Sequence, residues 1–136
     1  MSDETVRFTV SLPKKLFDNM EGEVCDKSYS SRSEYIRDLF RERQVDHQWD
    51  NSQDEVIGVL TLIFDHHQRG LTEKLVEIQH AHSVFILCST HVHISHHDCL
   101  ETIIIRGNAK EVNQLANSIG ALKGVKLSRL TKAAQV

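Results

Sequence analysis

Residues 90–101, Thr-His-Val-His-Ile-Ser-His-His-Asp-Cys-Leu-Glu, leave the backbone few options. Polar and apolar residues alternate up to Ile94. A short polar run follows, and Cys99 leads into the apolar run Ile103, Ile104, Ile105. Alternation marks a half-buried strand, and a second strand after so short a break marks a β-hairpin. Side chains two apart on a strand share a face, about 6–7 Å apart along it. His91 and His93 therefore point one way and can hold one ion between them. Whether Cys99 joins them depends on parity. Pairing it with residue 91, 93 or 95 puts the sulfur on the histidine face; pairing it with 92 or 94 puts it on the other. A loop of three residues (96–98) or five (94–98) meets the first condition, and both are common lengths. An odd loop and a His/His/Cys ligand set are expected.

Composition supports a metal reading. The chain has 9 histidines, and all but His47 lie between His66 and His97. Its three cysteines, Cys25, Cys88 and Cys99, are odd in number and far apart. That is no disulfide framework and suits a reducing compartment. No apolar run approaches the roughly 20 residues of a membrane span, and the start Met-Ser-Asp-Glu is no signal peptide. A cytoplasmic protein without a membrane partner is expected. Cys25 and Cys88 read as small buried residues.

The first 45 residues have a different pattern. Val6, Phe8, Val10 and Leu12 alternate with Arg7, Thr9 and Ser11, which predicts a short half-buried strand. Pro13 suits the first position of a helix, and Leu16, Phe17, Met20 and Val24 recur at helical spacing. Ser31-Arg32-Ser33-Glu34 matches a capping box, with Ser31 as N-cap and Glu34 reaching back. The helix that follows turns Tyr35, Ile36, Leu39 and Phe40 inward and Arg37 and Asp38 outward. One strand and two helices cannot bury a sufficient core alone. Two chains pairing their strands would solve this, leaving Arg7, Thr9 and Ser11 twice on an outer face. A two-stranded ribbon fits the DNA major groove. The N–H groups around Ser31, Arg32 and Ser33 can take a phosphate. This strand–helix–helix pattern resembles the ribbon-helix-helix repressors. With Arg37 on the outward face, these seven residues form the expected surface for double-stranded DNA.

Residues 45–55 are polar and aperiodic and read as the domain joint or as a fraying helix end, with Trp49 covering a surface. From Val56 the elements are a strand to Asp65, a helix from Leu71 to about Ser83, and a strand from Val84 to Ile94. Next come its hairpin partner from Cys99 to Arg106, a turn at Gly107-Asn108, a helix from Ala109 to Leu122, and a strand from Val125 to Leu130. The order βαββαβ is the ferredoxin-like split motif. It gives an antiparallel sheet with both helices on one face, and the apolar first strand implies that another subunit covers the other face. The fold class is α+β: residues 1–48 as a ribbon-helix-helix domain, 49–55 as linker, and 56–136 as a ferredoxin-like (ACT-like) metal-binding and tetramerisation domain.

His/His/Cys suits borderline divalent ions such as Ni2+, Cu2+, Zn2+ or Co2+. A fourth ligand can come from His80 or His82, in the same chain or across a subunit boundary. Spacing does not choose between a planar and a tetrahedral site. Gln79-His80 followed by Thr90-His91-Val92-His93-Ile94, His96 and Asp98-Cys99-Leu100-Glu101 resembles the metal site of the NikR nickel-responsive regulators, and the resemblance extends over essentially the whole chain. It implies a homotetramer, a dimer of dimers, with one Ni2+ per subunit. The site would be planar, with His91, His93 and Cys99 from one subunit, His80 from a neighbour, and Gln79 and Glu101 as outer supports. The resemblance also implies a second cation site at Glu34 and Asp38, and a weaker metal site or DNA-proximal contact at His66. The family's more basic character near His66 is absent from His67-Gln68-Arg69. The implied activity is nickel-dependent binding to a palindromic operator and repression of nickel-uptake genes, not catalysis. Two alternatives come from other classes. One is a zinc or other metal-dependent hydrolase with Glu101 as base; the other is an ACT-type small-molecule sensor.

Overall fold

A computed structural model describes residues 3–51 and 53–136. Met1, Ser2 and Ser52 lie outside it, the last within the expected linker. The chain divides into two compact units, one ending at Phe40 and the other beginning at Arg41.

In the first unit, helix α1 spans Lys14–Asp26. Pro13 stands just before it, and its carbonyl accepts the first helical bond, from Phe17 N–H at 3.0 Å. Helix α2 spans Arg32–Asp50, so its first nine residues belong to this unit and the rest to the second. Ser31 Oγ accepts from Glu34 N–H at 3.2 Å, which is the expected cap. The reciprocal half differs, because the Glu34 carboxylate is taken by Arg37. Tyr35 is buried and donates to Glu23 Oε2 at 2.7 Å.

The expected half-buried strand at residues 6–12 forms no ladder here, and Val6 and Phe8 are 77% and 68% exposed. The reason is that a strand needs a second strand for its N–H and C=O groups, and a single chain offers none at this position. Cys25 and Cys88 are exposed rather than buried.

The joint also differs from its expected position. Helix α2 continues through Trp49 to Asp50. Val45 and Trp49, one turn apart, pack against the core of the second unit. Trp49 is 5% exposed and donates Nε1–H to the Ala133 carbonyl at 3.0 Å. Two apolar positions are too few to register as a period in a polar stretch.

In the second unit β1 (Glu55–Asp65) is followed by α3 (Leu71–Ala81), β2 (Phe85–His93), β3 (Asp98–Asn108), α4 (Ala109–Gly120) and β4 (Val125–Ala133). The sheet is antiparallel in the order β2-β3-β1-β4. The expected turn at Gly107-Asn108 is absorbed into β3. Asn108 then caps α4, its Oδ1 accepting from Glu111 N–H at 2.9 Å. Val56, Leu60, Leu62 and Phe64 of β1 share a core with Ile103 and Ile105 of β3 and with Leu71, Leu75, Val112, Leu115 and Ile119 of the helices. Ile57, Val59 and Ile63 alternate with them and are only half-buried.

At Gly58 the packing leaves no room for a side chain. A Cβ there would stand 2.8 Å from Val112 Cγ1 and 2.9 Å from Leu130 Cδ1. Substituting Gly58→Ala should therefore cost about 1–3 kcal/mol, the usual penalty of overpacking. Urea unfolding followed by circular dichroism reads this directly, and an unchanged midpoint would show that the layers can part without strain.

Candidate metal centre

The hairpin closes with His93 opposite Cys99, so the loop is the five residues 94–98. It is tied from within. The Asp98 carbonyl accepts from Ile94 and Ser95 N–H at 3.0 and 3.2 Å. Ser95 Oγ accepts from His97 and Asp98 N–H at 3.3 and 3.0 Å. The odd loop sends the Cys99 sulfur to the histidine face, as parity requires. Cys99 Sγ lies 3.2 Å from His93 Nδ1.

The structure adds a third donor. His66 follows the last residue of β1, and its Nδ1 lies 3.3 Å from Cys99 Sγ. Its backbone N–H donates to the His97 carbonyl at 3.0 Å, which ties the end of β1 to the hairpin loop. His66, His93 and Cys99 place one ligand atom each within 4.8 Å of one another. Donor atoms around one ion with bonds of about 2.0–2.3 Å stand roughly 3–3.5 Å apart. The sulfur-to-nitrogen distances fit that span, and two imidazoles with a thiol are the donor chemistry a borderline ion takes.

The other sequence candidates lie elsewhere. His91 is one pleat further along β2, its ring 5.3 Å from that of His93, and it pairs across the ladder with Glu101. His80 is exposed in the last turn of α3. Gln79 Nε2 donates to the Leu75 carbonyl of its own helix at 3.1 Å. Within one chain, then, neither His91 nor His80 joins the cluster found among the described residues. In the sequence His66 has only the standing of a weak accessory position. The missing signal was the register. Phe64 pairs with Cys99, and two residues further along β1 lands on the same face.

Among the DNA-binding candidates, Arg7, Thr9 and Ser11 are exposed on the unpaired segment. Arg32 stands over the Phe17 ring at 5.1 Å and pairs with Glu21. Ser33 and Arg37 are exposed on α2. Of the two expected cation ligands, Glu34 pairs with Arg37 and Asp38 accepts from Tyr29 Oη–H at 2.8 Å.

Burial shifts the protonation of Cys99 and His66 in opposite directions. It pushes the Cys99 thiol above its ordinary range, and the carboxylates of Asp98 and Glu101 push the same way. Burial also pushes His66 down, helped by His67 and His93. Glu101 is pushed up by burial, with His91 opposing.

The second unit matches, over residues 57–133, the family described as the NikR C terminal nickel binding domain. The whole chain is similar to candidate nickel-responsive regulators. It is 50% identical to one of Campylobacter concisus, covering 97% of this chain and 96% of that one. It is 48% identical to one of Helicobacter pylori, covering 96% and 90%, and 46% identical to one of Helicobacter acinonychis, with the same coverage.

A thiol held protonated must lose its proton before its sulfur can bind an ion, whereas burial already favours the neutral His66 ring that a metal takes. Apparent metal affinity should therefore rise with pH by about tenfold per unit until the thiol's own pKa is reached. Calorimetric titration between about pH 6 and about pH 8 measures the slope; a flat profile would mean that the sulfur is not a ligand.

Proposed function

The chain belongs to the NikR family of nickel-responsive regulators, and on that premise we propose that nickel bound at a subunit interface promotes operator binding and repression of nickel-uptake genes. The family is one of regulators, not enzymes. The observation that carries the reading is the buried Cys99 sulfur at ligand distance from imidazole nitrogen on the hairpin. The proposed set is His91, His93 and Cys99 from one subunit with His80 from a neighbour, one Ni2+ per subunit. His66 holds a place beside the same sulfur. Zn2+, Cu2+ or Co2+ can take these donors in vitro. When bound, the ion supplies fixed bonds to side chains of two subunits.

The residues do the rest. Gln79 sits next to His80, and Glu101 sits opposite His91, where their polar groups can orient the imidazoles. Assembly is supported by the apolar surface each unit leaves open. In the first unit, Phe8, Val10, Leu12, Leu16, Ile36 and Phe40 line a groove of about 410 Å³. A second copy pairing its residues 6–12 would fill that groove and complete a two-stranded ribbon. In the second unit, the sheet face with Ile57, Val59 and Ile63 calls for another sheet. The result is a homotetramer built as a dimer of dimers.

The ribbon then presents Arg7, Thr9 and Ser11 to base edges, while Ser31, Arg32, Ser33 and Arg37 meet the phosphates of a palindromic operator. At Glu34 and Asp38, a further cation would have to displace Arg37 and Tyr29. No helix among the described residues is long and apolar enough to cross a membrane, which fits a cytoplasmic regulator.

If metal and DNA favour the same assembly, each tightens the other equally. Nickel should raise affinity for a palindromic operator by about 5- to 150-fold, the usual range of coupling between sites, and Cys99→Ala should abolish the gain. Equal affinity with and without nickel would overturn the proposal. Arg7→Ala should cost about 1–3 kcal/mol of specific binding if Arg7 reads a base; mobility-shift titration against specific and random duplexes separates that from a phosphate contact.

A further inference from the structure

The three side chains of the cluster come from the ends of three strands: His66 after β1, His93 at the end of β2, and Cys99 near the start of β3. Beside the cluster the ladder places two carboxylates opposite each other. Asp65 pairs with Asp98 in the position next to Phe64 and Cys99. Like charges directly opposite in a sheet repel. Repulsion here would part β1 from β3 where His66 and Cys99 meet.

A cation from β4 stands at this point. Lys126 Nζ donates to Asp98 Oδ1 at 2.7 Å. Because β1 lies between β4 and β3, the side chain reaches over the end of β1, a span of about 10 Å between strand axes. Its backbone is placed by Gly124, whose carbonyl accepts Asp65 N–H at 2.9 Å. Gly124 takes a left-handed φ of 98°, and Gln68 and Leu71 crowd the space a Cβ would fill. The turn before Lys126 is thus held against the same end of β1 that carries His66.

We propose that Lys126 is a positioning residue for the metal centre: by holding Asp98 against Asp65 it keeps the Cys99 sulfur within reach of His66 and His93. This rests on the reading that Cys99 binds the ion, but Lys126 itself touches no ligand atom. The contribution is geometric. Loss of the cation lets the carboxylates part, and the hairpin mouth opens while the cores of both units stay intact.

The test uses the full chain loaded with Ni2+ and challenged with excess chelator, following the thiolate-to-nickel absorption with time. Lys126→Met keeps the length of the side chain and removes the charge. It should release nickel about tenfold faster, the low end of what supports beyond the direct ligands contribute. Lys126→Arg should stay within about twofold of the unsubstituted chain, because a guanidinium can also pair with a carboxylate. Asp98→Asn in the Lys126→Met background should restore slow release, because it removes the repulsion that Lys126 offsets.

Unchanged release in Lys126→Met overturns the proposal. So does fast release that neither Lys126→Arg nor the added Asp98→Asn repairs, and so does a matching loss of thermal stability in the metal-free chain. Absence of the thiolate band in the unsubstituted chain overturns the ligand set and this proposal together. A normal band with unchanged release in Lys126→Met overturns this proposal alone.

Discussion

Everything at the metal centre depends on the register of β2 against β3. A pleated strand repeats every two residues, so a slip of one would move the Cys99 sulfur to the opposite face of the sheet. The five-residue loop prevents that slip. Ser95 uses one hydroxyl oxygen to hold two backbone N–H groups, and the Asp98 carbonyl holds two more. These neutral bonds act within a single turn, so the register does not depend on an ion being present.

The same register explains the electrostatics. Sulfur on this face is buried, and burial disfavours a thiolate. Two carboxylates close to the ladder, Asp98 and Glu101, add to the effect. A buried thiol between two imidazole nitrogens is shielded from solvent, and thiols held protonated by burial react slowly.

Much of this was legible in the sequence, and the exceptions have physical causes. The hairpin, its odd loop and the βαββαβ order follow from alternation and short polar breaks, which are local properties. The place of His66 is not local. It comes from pairing β1 with β3, residues more than 30 positions apart, and no spacing rule reaches that far. Trp49 reads as a surface cover rather than a core residue because a helix tip with two apolar positions has no measurable period. Residues 6–12 alternate as a strand does, but no strand of the same chain stands beside them, so their backbone groups form no ladder. His80 stands apart from the cluster of its own chain, and sequence spacing carries no information about a neighbouring one.

The chain contains one tryptophan, and Trp49 is buried in the core of the second unit, its indole N–H bonded to Ala133. The protein thus carries an intrinsic optical probe with a defined address. Indole emission excited apart from tyrosine will follow solvent entry into the core around Gly58, Val112 and Leu130. It will be silent about the unit ending at Phe40, whose aromatic residues are Phe8, Phe17, Tyr29, Tyr35 and Phe40. Fluorescence and circular dichroism unfolding curves should therefore diverge wherever the two units lose structure at different points.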